Sequence, residues 1–397
     1  MDFHFTPPFP SADAGFTIRI QRSFIGSKCN IFKDLVKAFR SYFHTVRIAI
    51  IHYRLLRNGG LETRLFNYLN EFRNLGYQVT LVVAKIDPEV ELHSDINVEQ
   101  VNLKRVPKPI RMYYFDRALA HIIPNGNFDL SFSLGRTSNE DIVLCLGNHL
   151  GYLAAMNKRW WSPIDQLNIY LDKKAYRKSK LILACSKMMK EELIDLFKVS
   201  ADKIEVLLPP IDDSRFNQAG RNKKQELRTK FGLSENKKSL LFLTTGNERK
   251  GYPLLLELMN TLAKEPIELI VAGVKPMSST LHNVKYVGYT DAPQELLWAA
   301  DGLVHPAKYE PFGQVITEAI ECGTPVLVSN MVGAKEIVSG EIGMVVSGFE
   351  LETWHKAILE FVKKDFSIPA QFSRANGLTV DQHCKLILDF ANQLNRG

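Results

Sequence analysis

The sequence predicts an α/β protein built from two doubly wound, parallel-sheet domains facing each other across a cleft. Three observations carry this expectation. Short β-branched apolar runs alternate with stretches whose apolar residues recur at helical spacing. The alternation runs through two separate series. Between them, after Val206-Leu207-Leu208-Pro209-Pro210, a polar, basic stretch extends to about Lys238. A chain of 397 residues is long enough for two such cores, and each series has the pattern of a Rossmann-like unit.

Residues 1–45 stand apart as an N-terminal extension. Pro7, Pro8 and Pro10 argue against regular structure at its start, whereas Phe32, Leu35, Val36, Phe39, Tyr42 and Phe43 recur at helical spacing with Lys33, Lys37 and Arg40 between them. A basic amphipathic helix of this kind suits an anionic membrane surface; packing of its apolar stripe on the rest of the protein is the competing reading. The first series opens with the strand Val46 to His52, a helix over Leu61 to Leu75 and a strand over Val79 to Ala84. Further strands are expected at Leu130 to Leu134, Ile142 to Leu146 and Leu181 to Cys185. The second series contains Leu240 to Thr245, Ile267 to Ala272, Val284 to Val287, Gly302 to His305, Pro325 to Val328 and Gly343 to Val346. This assigns residues 46–210 to a first domain, 211–378 to a second and 379–397 to a C-terminal helix.

Composition narrows the function classes. The chain is 45% hydrophobic and 23% charged, ordinary for a globular protein. Its net charge of +7 suits anionic partners such as nucleotide phosphates, phosphorylated glycans or an anionic membrane. Nucleic acid is not an expected partner, because zinc-finger patterns, basic heptads and aromatic RNA-binding signatures are missing. The five cysteines, Cys29, Cys145, Cys185, Cys322 and Cys384, are scattered and point to free thiols in a reducing compartment. No apolar run approaches the ~20 residues that span a bilayer, and no signal peptide precedes the first strand. The chain is therefore expected in the cytoplasm, with attachment to the inner face of the cytoplasmic membrane as an extension of the helix reading.

The candidate chemistry sits at strand ends. In the segment from His305 to Val326, Glu310 and Glu318 flank the start of an expected helix beginning near Phe312. Gly313 there lets backbone approach a ligand, and the first-turn N–H groups of the Phe312, Gly313, Gln314, Val315 stretch face an anion. The two glutamates lie a rise of at most ~12 Å apart, too far for one acid/base pair. They can instead hold hydroxyls at the two ends of an elongated ligand whose anionic middle lies near the helix start, the layout of a nucleoside diphosphate sugar. A first-turn acid and a solvated helix residue are the plain alternative. Arg249 and Lys250, with Gly246 and Gly251, follow a strand and precede a helix, and suit a diphosphate; cations already in place stabilise the charge a leaving diphosphate gains. Arg57-Asn58-Gly59-Gly60 occupies the matching place in the first domain. Gly147-Asn148-His149 follows another strand, where His149 can bond sugar hydroxyls or stabilise charge. Lys158-Arg159-Trp160-Trp161 suits an acceptor's phosphates or a membrane interface, with domain packing as the alternative. Asp-x-Asp and Walker A patterns are both missing, which argues against a metal-chelated diphosphate and against ATP-driven phosphoryl transfer.

Across most of residues 46–397, and most closely from Leu181 onward, the chain resembles retaining glycosyltransferases of family 4. The resemblance rests on the glutamate segment with its Glu-x7-Glu spacing, Gly246 to Gly251, Ile204-Glu-Val-Leu-Leu-Pro-Pro210 and Ala299-Ala-Asp-Gly-Leu-Val-His-Pro306. Bacterial lipopolysaccharide core α-glucosyltransferases are the subgroup it looks like. The resemblance implies a GT-B fold with an acceptor-side first domain, a nucleotide-sugar-binding second domain and a C-terminal helix packing back on the first. It further implies transfer with retention from a donor such as UDP-glucose to a glycan or glycolipid, and neither metal nor other cofactor. Carried over by motif, Arg249 and Lys250 bind the diphosphate, Glu318 the ribose and Glu310 the hexose, while Gly59 and Gly60 close the site. The extension of residues 1–45 and the region around His149 depart from the family pattern. A sugar-nucleotide epimerase on the same scaffold and a non-catalytic carbohydrate-binding, membrane-associated protein are the competing functions.

Overall fold

The computed structural model describes residues 46–56, 59–159, 162–244, 248–275 and 280–394. The amphipathic helix expected within residues 1–45, together with Arg57, Asn58, Trp160, Trp161 and Gly246, lies outside them. Seven strands form the first sheet: β1 (Arg47–Leu55), β2 (Gln78–Ile86), β3 (Asn97–Gln100), β4 (Leu130–Ser133), β5 (Ile142–Cys145), β6 (Leu181–Ala184) and β7 (Ile204–Val206). Six form the second: β8 (Lys238–Leu243), β9 (Ile267–Ala272), β10 (Val284–Gly288), β11 (Gly302–His305), β12 (Val326–Ser329) and β13 (Gly343–Val346). The orders are β3-β2-β1-β4-β5-β6-β7 and β10-β9-β8-β11-β12-β13. Both sheets are parallel and wound outward in two directions, so the order reverses between β1 and β4 in one and between β8 and β11 in the other. Parallel strands are covered by helices on both faces, which is why β1 and β9 read as nearly unbroken apolar runs.

The second sheet shows how that covering works. Leu240 and Phe242 on β8, and Leu269 and Val271 on β9, alternate onto one face and pack with Leu255 and Leu258 of the Tyr252–Thr261 helix and Trp354, Ile358 and Phe361 of the Leu351–Phe361 helix. Each such burial stabilises by roughly 1.5–3 kcal/mol. The first sheet buries a polar group as well: Glu140 accepts hydrogen bonds from Ser133 Oγ at 2.6 Å, Thr137 Oγ1 at 2.8 Å and its neighbour Asn139 N at 2.8 Å. Burial pushes this carboxyl up to about 7, against the pull of those donors. The four described cysteines are buried free thiols.

By packing, the chain divides into two compact units, one comprising residues up to Val143 and from Cys384 onward, the other Leu144–His383. The division falls within β5, upstream of the 210/211 boundary read from the sequence, so β6, β7 and the loops after β5 and β6 count with the second unit. The Val380–Leu394 helix is divided as well, at His383. Among the described residues, no helix is long and apolar enough to cross a membrane.

The structure corrects one helix boundary that bears on function. The helix expected from Phe312 begins at Gln314. Glu310 pairs with Val332, and Phe312 O accepts from Ala334 N at 2.8 Å, so the chain stays extended through Phe312. Gly313 then turns it at φ 95°, a left-handed conformation that favours glycine.

Candidate active site

The two charged loops follow β8 and β11, the adjacent strands between which the second sheet reverses its order. Open parallel sheets hold ligands at the carboxyl ends of strands at this point, because loops leaving on opposite faces open a crevice there. After β8 the chain makes a 3-10 turn over Glu248–Lys250 and passes Gly251 into the next helix. Gly251 has φ 82°, and a Cβ there would lie 2.0 Å from the carbonyl oxygen of Pro306. Only glycine lets the turn come so close to the segment leaving β11. The contact continues from Lys308 N to Arg249 O at 2.8 Å. Arg249 also donates to Tyr309 O, and its guanidinium lies 3.2 Å from Glu310 Oε2. Glu310 is fastened from the other side, with its N donating to Met331 O at 3.0 Å and its O accepting from Gly333 N at 2.9 Å.

This framework sets the charges. Burial pushes Glu310 up, but the His305 imidazole 3.7 Å away and the Arg249 and Lys250 charges outweigh it and hold the carboxyl down to about 2. His305 is fully buried at the end of β11, and burial lowers its pKa, favouring the neutral ring. Lys250 is half-buried, and among the described residues none lies within hydrogen-bond or ion-pair reach of its ammonium group. Burial lowers its pKa, opposed by the charges of Glu310 and Glu318. Glu318, on the second turn of the Gln314–Glu321 helix, keeps partial solvent contact. Burial pushes its carboxyl up to about 7, opposed by Arg215 and Lys250. The helix start carries no side-chain cap, leaving the N–H groups of Gln314 and Val315 without an intrahelical acceptor. Phe312 is buried, so its side chain serves packing.

Two family models match the chain: Glycosyltransferase Family 4 over residues 58–215 and Glycosyl transferases group 1 over residues 223–376. A probable transglycosylase of Burkholderia thailandensis is 30% identical over 287 residues, which cover 72% of this chain and 78% of the relative. The chain belongs to the glycosyltransferases. Its fold is GT-B, two parallel-sheet Rossmann-like domains. It is similar to the crystal structure of WaaG, a glycosyltransferase involved in lipopolysaccharide biosynthesis, with TM-score 0.69 and 17% identity over 86% of this chain and 95% of that one. HepE of Anabaena, in complex with UDP and glucose, gives TM-score 0.65 and 17% identity over 87% and 99% of the two chains.

Within the same compact unit of this glycosyltransferase, the loop after β5 reaches the Glu310 segment. Gly147 has φ 147°, and a Cβ on it would lie 2.9 Å from Pro311 Cγ. His149 opens the His149–Ala155 helix, donating its N–H to Asp172 Oδ2 at 2.8 Å while its Nε2 lies 2.7 Å from Asp165 Oδ1. The imidazole is therefore already engaged by a carboxylate. Glu192 links the two loops: Asn148 Nδ2 donates to its Oε2 at 2.5 Å and Tyr309 Oη to the same atom at 2.8 Å. Ser186 Oγ, after β6, donates to Pro311 O at 2.7 Å. No motif in the sequence points to Arg215, His305, Ser186, Glu192 or Tyr309 as site residues. Tyr309 and His305 at least stand inside the glutamate segment, whereas Glu192 is an ordinary mid-helix acid in sequence.

Of the remaining sequence candidates, Gly59 and Gly60 belong to the first compact unit and Lys158 to the second. Gly59 precedes the Gly60–Asn74 helix in the first compact unit, with φ 147° and its carbonyl accepting from Thr63 N at 2.9 Å. Lys158 Nζ donates to Tyr152 Oη at 3.0 Å and feels the Glu248 charge. Among the described residues, no three His, Cys, Asp or Glu side chains converge to hold a metal ion.

Proposed function

We propose that the chain transfers a hexose, with glucose from UDP-glucose as the leading candidate, from a nucleoside diphosphate sugar to a glycan or glycolipid with retention at the anomeric carbon. The observation that carries this reading is the Lys250 ammonium group, half-buried without a direct partner among the described residues and set in the fields of both Glu310 and Glu318. An ammonium held this way is poised for an incoming anion, and a diphosphate supplies one. Arg249, braced by Glu310, adds a second cation beside it. Glu318 then accepts from ribose hydroxyls and Glu310 from the hexose. The UDP and glucose of the HepE complex favour this donor, and the lipopolysaccharide role of WaaG favours a lipopolysaccharide acceptor; we extend this to the lipopolysaccharide core and to the inner face of the cytoplasmic membrane.

In the proposed step, the bond from the anomeric carbon to the diphosphate oxygen breaks while the acceptor oxygen bonds to the same face. The acceptor proton passes to the departing diphosphate oxygen, so no protein nucleophile is needed. Arg249 and Lys250 stabilise the charge that develops on the leaving group, and the reading asks for no metal. The test is a thermal-shift screen of the purified chain against nucleoside diphosphate sugars, followed by NMR of the product with a glycan acceptor. Stabilisation by one donor and an axial product from an axial donor are expected. An equatorial product overturns retention, conversion of donor without acceptor replaces transfer by epimerisation, and no donor binding removes the site.

A further inference from the structure

Beside the charged loops, a single carboxylate oxygen gathers donors from two separate segments. Glu192 is half-buried on the Lys187–Phe197 helix, one turn after the buried Met189, and accepts at Oε2 from Asn148 Nδ2 at 2.5 Å and from Tyr309 Oη at 2.8 Å. Burial pushes its carboxyl up against the pull of those two donors. For packing alone, an apolar side chain of similar volume would serve at lower cost. Room for the junction comes from Gly151 in the His149–Ala155 helix, where a Cβ would lie 2.1 Å from Glu192 Oε2 and 2.8 Å from Tyr309 Oη. Helical backbone does not itself call for glycine, and alanine would favour the helix.

Each donor is also fixed at its far end. Asn148 Oδ1 caps the His149–Ala155 helix by accepting from Gly151 N at 2.6 Å, so the amide is held on both sides and sets where that helix begins. Tyr309 O accepts from Arg249 while the hydroxyl reaches Glu192. Held at its carbonyl and at its ring, Tyr309 leaves the adjoining Glu310 little freedom to turn from Arg249, 3.2 Å away. We propose that Glu192 is a positioning residue for the transfer, holding the Asn148–His149 turn and the Tyr309–Glu310 segment in register so that Glu310 meets the donor hexose in the reacting geometry. Glu192 touches no reacting atom and takes no proton in this role. The proposal rests on the donor reading above, in which Arg249 and Lys250 bind the diphosphate and Glu318 the ribose. Loss of Glu192 should therefore spare donor affinity and slow the transfer step.

The experiment compares kcat with donor Kd in variants of the full chain, with UDP-glucose as donor and a lipopolysaccharide core oligosaccharide as acceptor. Glu192→Met keeps side-chain length and helix propensity but offers no oxygen. Its kcat should fall roughly 10- to 100-fold while the donor Kd from calorimetry stays within about twofold. Glu192→Gln keeps an oxygen that both donors can reach and should hold kcat within about fivefold of the parent chain's. Gly151→Ala gains helix propensity, yet its methyl would push the carboxylate off both donors. It should lose kcat as Glu192→Met does, and the two together should lose no more than either alone. Thermal midpoints without donor are the folding control; should Glu192→Met lower its midpoint, Gly151→Ala and Glu192→Gln carry the comparison. The inference is overturned by parental kcat in Glu192→Met or Gly151→Ala, by a Gln variant as slow as the Met variant, or by donor affinity that falls as far as kcat, the mark of a merely structural strut. A parent chain that binds no nucleoside diphosphate sugar overturns the donor reading, and this role for Glu192 falls with it. The two failures differ in plain view, because the first leaves donor binding by the parent chain intact.

Discussion

Lys250 concentrates the chemistry at the scale of one residue. Holding an ammonium half-buried without a direct partner among the described residues costs free energy, partly offset here by the Glu310 and Glu318 charges. A bound diphosphate completes the compensation and, as it leaves, gains from a cation that need not reorganise. Lys250→Ala should therefore lower turnover by ~10²-fold or more in a steady-state transfer assay with the fold intact; a rate near that of the unaltered chain would refute the role. Glu318 gives a pH-dependent counterpart. Its carboxyl titrates at about 7 in the free chain, whereas ribose hydroxyls donate to, and so favour, the ionised form. Donor binding should release protons near pH 7 and tighten as pH rises through that value, as read by calorimetry in buffers of different ionisation enthalpy. Glu318→Ala should abolish that release and raise the donor KM while leaving kcat close to its starting value. Equal donor affinity in the two chains would take Glu318 out of the site.

At the scale of elements, the arrangement depends on two glycines where loops touch. Gly251 combines a left-handed φ of 82° with the Pro306 carbonyl 2.0 Å from where a Cβ would sit. Gly251→Ala should cost about 2 kcal/mol or more in unfolding free energy and loosen the turn that carries Arg249 and Lys250. Chemical denaturation and donor titration would both register it; a midpoint and affinity equal to the parent chain's would show that the turn tolerates a side chain. Gly147 plays the same part between the loop after β5 and Pro311. The alternating strands and helices were legible because burial on both sheet faces writes long apolar runs and one-sided burial writes a helical period. The helix start two residues beyond Phe312 was not, because pairing of Glu310 with Val332 and Phe312 O with Ala334 N holds the chain extended through contacts remote in sequence. β3, short and exposed along its length with the sequence Asn-Val-Glu-Gln, carries no apolar run to find.

For the whole molecule, the buried acids set opposing pH dependences of stability. Glu140 and Glu318 are both raised from 4.5 to about 7, so the folded chain holds their protons more tightly than the unfolded one. Their contribution is fully present below about pH 4.5 and is lost as pH rises through about 7. Glu310, held down to about 2, works the other way: its contribution is present above 4.5 and is lost as pH falls toward 2. Replacing Glu140 by Gln should flatten the decline of unfolding free energy between pH 5 and pH 8 by on the order of 3 kcal/mol. An identical slope in urea titrations of the two chains would show that Glu140 does not titrate there. The sequence by itself determined the alternation of the two sheets, the turns rich in glycine and charge, and the candidacy of Arg249, Lys250, Glu310 and Glu318, since periodicity and motif spacing are local properties of a chain. Only tertiary structure decided that the loops after β8 and β11 meet where the strand order reverses. It alone showed Glu192 joining Asn148 to Tyr309 and Asp165 engaging His149. Those facts depend on burial and on electric fields summed over residues far apart in sequence, and no single stretch of chain contains that sum.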